Sequence, residues 1–131
     1  MTGTPFAGQV ALVTGASRGI GAATAEALAA ADAHVVLTGR DTKALEGIEE
    51  RIFAADGHAT IAPVDLTEPD GIARLATAVA QRWPALDILV LNAAILPQLT
   101  AVTDIDQRAF NKALTTNVLA TQALLANFDP L

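Results

Sequence analysis

The segment Thr14-Gly15-Ala16-Ser17-Arg18-Gly19-Ile20-Gly21 holds the residues whose types and spacing could most directly do chemistry. It follows a short apolar run, Val10 to Val13, and leads into an alanine-rich stretch with helical composition. Strand, glycine turn and helix in that order let a pyrophosphate approach bare backbone. The anion then sits on a helix N-terminus, where unpaired amides and the positive end of the aligned peptide dipoles stabilise it. Side chains at the glycines are expected to block that approach. A P-loop is excluded, because Gly21 is followed by Ala22 and Ala23 rather than by the Lys-Ser/Thr pair that reaches terminal phosphates.

Further candidates fall after later apolar runs. The second run ends Val36-Leu37-Thr38-Gly39-Arg40-Asp41. In dinucleotide folds an acid at this point bonds the adenine ribose, whereas an arginine accommodates a 2′-phosphate. Thr38 stands where an acid would be looked for, and Arg40 and Arg18 could converge on one phosphate. The pair favours NADP(H) over NAD(H), with NAD(H) still open. Asp41 is read as a helix cap, its carboxylate engaged with amides. Asp65-Leu66 follows the third run and Asn92-Ala93-Ala94 the fourth, while Asn117 lies inside a helical stretch, where a polar side chain of mediocre propensity needs a reason. His34 and His58 each lead into a strand and are expected to be solvated turn residues, and Trp83-Pro84 a hydrophobic stop. No metal site is expected.

The elements that must position these residues follow a rhythm. Val10 to Val13, Val35 to Leu37, Thr60 to Ala62 and Leu86 to Leu91 are apolar runs, each followed by a longer mixed segment, which predicts βαβαβαβ and a parallel sheet. The first and last runs are continuously apolar, as central strands covered on both faces would be. Helices are predicted over Gly19 to Ala31, Thr42 to Ala55, Gly71 to Arg82 and Asp106 to about Asn127, with Thr67 capping the third and Phe110, Leu114, Val118 and Leu125 along the last. Ala93 to Thr103 is predicted to be a loop.

Composition sets limits. The chain has 131 residues, 52% of them hydrophobic and 17% charged, which suits one α/β domain and not a disordered segment. A net charge of −6 with no basic run argues against nucleic-acid and anionic-membrane surfaces. The absence of cysteine excludes disulfides, thiolate metal sites and a thiol nucleophile. Met1 to Gly8 lacks a basic region followed by an apolar stretch, and no window is long and apolar enough to span a membrane, so the expected compartment is the cytoplasm.

Thr14-Gly15-x-x-x-Gly19-x-Gly21 resembles the cofactor motif of the short-chain dehydrogenase/reductase family. Asp65-Leu66 is similar to that family's adenine-contacting acid and its neighbour, Asn92-Ala93-Ala94 to its Asn-Asn-Ala-Gly, and Asn117 to the helix asparagine of its catalytic tetrad. Leu91 and Ala94 depart from the pattern, standing where the family has Asn and Gly. The resemblance implies a Rossmann-type doubly wound parallel sheet of strand order 3-2-1-4, truncated after its fourth strand and fourth helix, with residues 1–131 as the N-terminal part of an NAD(P)-binding domain. It implies cofactor contacts from Thr14, Gly15, Ser17, Arg18, Gly19, Ile20, Gly21, Arg40, Asp65, Leu66, Asn92, Ala93 and Ala94, and Asn117 holding a water in a proton relay. The implied reaction is hydride transfer between NADP(H) and a small-molecule carbonyl or alcohol, with a homodimer or homotetramer as the assembly. The family's Tyr-x-x-x-Lys pair is missing, since the sequence has no tyrosine and its only lysines are Lys43 and Lys112. These residues alone are therefore expected to be inactive, as a portion of a longer enzyme. The alternative is a non-catalytic dinucleotide-binding or interaction module.

Overall fold

The computed structural model describes residues 4–131, so the first three residues of the N-terminal reading lie outside it. Strands β1 (Val10–Thr14), β2 (His34–Gly39), β3 (His58–Pro63) and β4 (Ile88–Val90) alternate with helices α1 (Gly19–Ala30), α2 (Thr42–Ala54) and α3 (Pro69–Arg82). A 3-10 turn at Val102–Asp104 precedes α4 (Gln107–Leu114), which runs through a π turn (Thr115–Leu119) into α5 (Ala120–Phe128). The sheet has the order β3-β2-β1-β4, all parallel, with Leu12 aligned to Val36 and Leu89 and Val36 aligned to Thr60. This is the Rossmann-type, doubly wound α/β arrangement that the sequence implied.

Each face of the sheet carries its own core. On one, Ala11, Val13, Val35 and Leu37 pack against Ala22, Ala25 and Ala29 of α1 and Leu45, Ile48 and Ile52 of α2. The alanines let α1 lie close to the strands. On the other face, Val10, Leu12 and Val36 meet Ile72, Leu75 and Val79 of α3 and Ala120, Leu124 and Phe128 of α5. Residues buried on both sides of β1 explain its unbroken apolar run, and each fully buried Leu or Val contributes about 1.5–3 kcal/mol.

Four expectations need correction. The helix after β4 turns Phe110, Leu114, Val118 and Leu125 outward, 42–55% exposed, and buries Thr116, Ala120, Leu124 and Phe128 instead. The segment is apolar on two sides, and the inward stripe is the one whose small and large residues fit α3 and β1. The fourth strand is three residues long and half-buried, shorter than Leu86 to Leu91. Asp87, just before it, is tied to the start of β1: its N–H donates to the Val10 carbonyl at 2.9 Å and its Oδ2 accepts the Val10 N–H at 2.8 Å. Thr67 does not cap α3. Glu68 occupies the N-cap position without a side-chain bond, and the Thr67 hydroxyl donates to Asp65.

His34, finally, is no solvated turn residue. It is half-buried in β2, its Nε2 2.8 Å from the Thr60 hydroxyl and its ring 5.1 Å from that of Trp83. Burial, and then the positive charge of Arg82 and His58, hold its pKa below the ordinary value. His58 is exposed, as expected.

Candidate functional site

The site is built at the carboxyl ends of β1, β2, β3 and β4, where an open parallel sheet leaves its ligand crevice. Thr14, the last residue of β1, is buried, and its hydroxyl accepts the N–H groups of Asn92 and Ala93, each at 3.0 Å, while donating to the Val90 carbonyl at 3.4 Å. Asn92 returns the tie, its Nδ2 donating to the Gly15 carbonyl at 3.2 Å. The Ala16 N–H donates to the Thr38 carbonyl at 3.1 Å, so the loop is held to β4 on one side and β2 on the other.

Two of the glycines are needed for a reason other than ligand access. A Cβ at Gly21 would run into the Gly15 carbonyl and come within 2.6 Å of Asn92 Nδ2, and one at Gly15 would stand 2.9 Å from Ala93 Cα. These glycines let the loop pack on itself and on the β4 end. Gly19 differs: its φ is +58° and a Cβ there would meet open space. Its bare backbone faces outward, and no packing neighbour requires a glycine there.

The first turn of α1 is uncapped. Arg18 occupies the N-cap position in extended backbone with no side-chain bond, and the first N–H with a helical acceptor is that of Ala22, to the Arg18 carbonyl. The amides before it have no partner within the helix and keep the positive end of the dipole available. Arg18 and Ile20 are exposed and Ser17 is half-buried, and together with Gly47 and Arg51 of α2 Ser17 and Arg18 border a cleft of about 430 Å³ between the two helices. α2, by contrast, is capped as expected, with Asp41 Oδ1 accepting the Ala44 N–H at 3.1 Å.

At the ends of β2 and β3 the Val64 N–H donates to the Gly39 carbonyl at 3.0 Å, which brings the loop carrying exposed Arg40 beside that carrying Asp65. Asp65 Oδ1 accepts both the Thr67 hydroxyl (2.6 Å) and the Thr67 N–H (2.9 Å). Those bonds, with a smaller contribution from the Arg40 and Lys112 charges, hold its carboxyl below the usual range. Leu66 is half-buried against the core of the α3 face. Thr38 is fully buried and its hydroxyl has no partner among the described residues. The first exposed position after it is Arg40.

The loop after β4 exposes Ala94 and is pinned by Asn117, 22 residues on: Oδ1 accepts the Ile95 N–H at 2.8 Å and Nδ2 donates to the Ile95 carbonyl at 2.9 Å. Asn117 lies in the π turn, which widens the helix where this side chain reaches out. Ile95 was missed by sequence reasoning, and had no signal, because the bonds use its backbone. The structure thus brings Thr14, Gly15, Asn92 and Ala93 into one knot, with Ala94 and Asn117 beside it; Arg18 and Arg40 stand on separate loops. No group of His, Cys, Asp and Glu that could hold a metal occurs among the described residues, and no helix is long and apolar enough to cross a membrane.

Known proteins agree with this geometry. A crystal structure of a metagenomic short-chain oxidoreductase in complex with NADP superposes with a TM-score of 0.94 at 40% identity, covering 96% of this chain and 57% of that one. The 3-oxoacyl-(acyl-carrier-protein) reductase of Agrobacterium tumefaciens, with NADP bound, gives a TM-score of 0.89 at 35% identity over 97% of this chain and 48% of its own. A fatty acyl-CoA reductase of Acinetobacter baylyi is 34% identical over 124 residues, 94% of this chain and 42% of the relative. The chain spans about half the length of the proteins it matches. The family model for short chain dehydrogenases matches residues 9–130, through every element that builds the glycine loop and its Asn92 brace, and this chain belongs to that family of oxidoreductases.

Proposed function

We propose that residues 1–131 form the cofactor-binding part of an NADP(H)-dependent oxidoreductase that moves a hydride between the nicotinamide and a small-molecule carbonyl or alcohol. The observation that carries this reading is the uncapped start of α1 beneath the outward-facing backbone of Gly19. An anion there gains free amides and the helix dipole together. The residues present fit a dinucleotide. Thr14, Gly15, Ser17, Gly19, Ile20 and Gly21 form the pyrophosphate cradle, Arg18 and Arg40 offer charge for a 2′-phosphate, Asp65 and Leu66 flank the adenine, and Asn92, Ala93 and Ala94 line the way to the nicotinamide. The cofactor supplies the hydride chemistry when bound. Two relatives of this fold were crystallised with NADP, in keeping with the choice of phosphate-bearing cofactor.

Both amide groups of the Asn117 side chain are engaged with Ile95, so its role is to fix the loop that carries Ala93 and Ala94, and any relay water would be held by its backbone. The general acid that protonates a developing alkoxide is supplied from outside these residues, which contain no tyrosine and are inactive alone. The exposed stripe Phe110, Leu114, Val118 and Leu125 is the surface through which the whole protein pairs as a homodimer or homotetramer.

The test is titration of the full-length protein with NADPH and NADH. Tighter binding of NADPH is expected, with the preference lost or reversed in Arg40→Asp; equal affinities in the wild type would remove the 2′-phosphate assignment. The absence of tyrosine also favours a second reading, a dinucleotide-binding module without catalysis. Binding of NADPH by the full-length protein, with no turnover of any carbonyl in a broad panel, would select it.

A further inference from the structure

A groove between α3 and β3 is touched by one assigned residue alone, Asp65 at its upper end. β3 is the outermost strand on the side away from β4. Val36 and its register partner Thr60 share a face, with Ala62 two residues further on, and α3 covers them only in part: Leu75 and Val79 are buried, whereas Thr60, Ile61 and Ala62 remain half-exposed. The space left has a volume of about 520 Å³, inside the range of roughly 300–1,000 Å³ typical of small-molecule sites.

The two ends of the groove differ in charge. Asp65 and Glu68 stand at the upper end; Trp83 closes the lower end, with the Arg82 guanidinium 4.7 Å above its ring. Among the described residues no carboxylate lies within 4.0 Å of Arg82, and the nearest approach of an acid to exposed Arg74, on the same rim, is the 4.0 Å contact with Glu68. Arg74 is paired with Glu68, whereas Arg82 has no acidic partner among the described residues and stands beside an apolar floor. An acidic peptide running the whole length would meet Asp65 and Glu68, so the complementary ligand has one anionic end and an apolar body. The carbonyl end of α3 opposes an anion with about half a charge, which the full charge of Arg82 outweighs.

We propose that this groove binds an anionic amphiphile, a carboxylate or phosphate head on an alkyl chain. The head lies on Arg82, and the chain lies on Val36, Thr60, Ala62 and Val79. The guanidinium fork bonds such a head in bidentate fashion, and burial of the chain adds the apolar contribution. Trp83 then acts as the end wall of a pocket. The site meets the crevice proposed for the dinucleotide only at Asp65, and its head-binding end at Arg82 and Trp83 does not depend on that assignment.

The test is calorimetric titration of the full-length protein with dodecanoate below its micelle concentration, beside dodecyltrimethylammonium (same tail, opposite charge) and butyrate (same head, short tail). Saturable binding of one dodecanoate per chain is expected, with at least tenfold weaker binding of the other two probes. Ala78→Trp, at an exposed groove-lining position of α3, and Arg82→Gln are each expected to weaken it at least tenfold, with unchanged circular dichroism melts showing that both variants fold. No saturation, or equal binding of the cationic probe, overturns the proposal. Undiminished binding in Ala78→Trp also overturns it, by placing the probe in another crevice such as that of the dinucleotide. Tighter, Ala78→Trp-sensitive binding of an alternating Asp-Val peptide would assign the groove to a protein partner instead.

Discussion

α1 and α2 lie side by side on the same face of the sheet, each follows a parallel strand, and they begin in opposite ways. α2 starts at Asp41, whose carboxylate satisfies a first-turn amide. α1 starts at Arg18, which satisfies none, after a turn in which Gly15 and Gly19 hold positive φ. Capping α1 with Ser or Asp would add about 1 kcal/mol of stability by the usual measure. A helix N-terminus left short of partners, next to one that is not, supports the proposed anion site. Glycine supplies the positive φ of the turn without strain, so the missing cap is the stability the proposed site forgoes.

The largest expected effect separates the glycines of that turn. Gly21→Ala places a methyl group against the Gly15 carbonyl and Asn92. Backbone rather than a flexible side chain must yield, at about 3 kcal/mol, the upper end of the overpacking range. Gly19→Ala meets no atom and costs only the left-handed backbone, about 1–2 kcal/mol, while intruding on the phosphate approach. Denaturant melts should rank Gly21→Ala well below Gly19→Ala in stability, and NADPH titration should show both binding poorly. Equal stabilities would mean that the loop relaxes freely and is no fixed cradle.

Thr14→Val comes next, since it keeps the shape of the side chain and deletes the acceptor for two backbone N–H groups. Those groups are half-buried, so about 2 kcal/mol is expected, with the loss of dinucleotide affinity exceeding what the melt alone would explain, because the cradle and the β4 loop are no longer tied. Asp41→Ala tests the other helix. It should cost about 1 kcal/mol and leave NADPH affinity unchanged. A tenfold fall in affinity would show that Asp41 touches the ligand after all, and would undo the contrast between the two helix starts.

Much of this contrast was legible before any coordinates. The strand-turn-helix order of residues 10–31 and the cap at Asp41 are local signals, each carried by a few adjacent side chains, and the structure keeps them. What failed was non-local. Periodicity finds an apolar stripe in the helix after β4, yet cannot tell which of two stripes meets the sheet, and Phe110, Leu114, Val118 and Leu125 turned out to be the outer one. The π turn at Thr115–Leu119 has no sequence signature, and neither do the bonds from Asn117 within it to the backbone of Ile95, 22 residues away. Thr38 shows a further limit: its complete burial is set by what packs over β2, and the first exposed position is Arg40, two residues on and past the strand end.

The smallest expected effect lies at the opposite end of the sheet from the helix starts, where His34, Thr60, Trp83 and Arg82 pack together. His34 was expected to be solvated, and its half-buried setting, with Arg82 and His58 nearby, favours the neutral ring and lowers its pKa from 6.5. The unfolded chain therefore binds a proton that the folded chain resists, in the window from about pH 6.5 down to the folded pKa. Stability from this group is complete above that window and is lost progressively as the pH falls through it. His34→Gln removes the titration while keeping a side-chain amide for the Thr60 hydroxyl. Thermal melts of the full-length protein at pH 7.5, 6.5 and 5.5 should show the wild type losing more Tm than His34→Gln. Arg82→Gln should fall between them, because it removes the second-ranked cause and leaves the burial. Parallel curves for all three would mean that the imidazole is as solvated in the fold as the sequence suggested, with the Thr60 contact too weak to hold it in place.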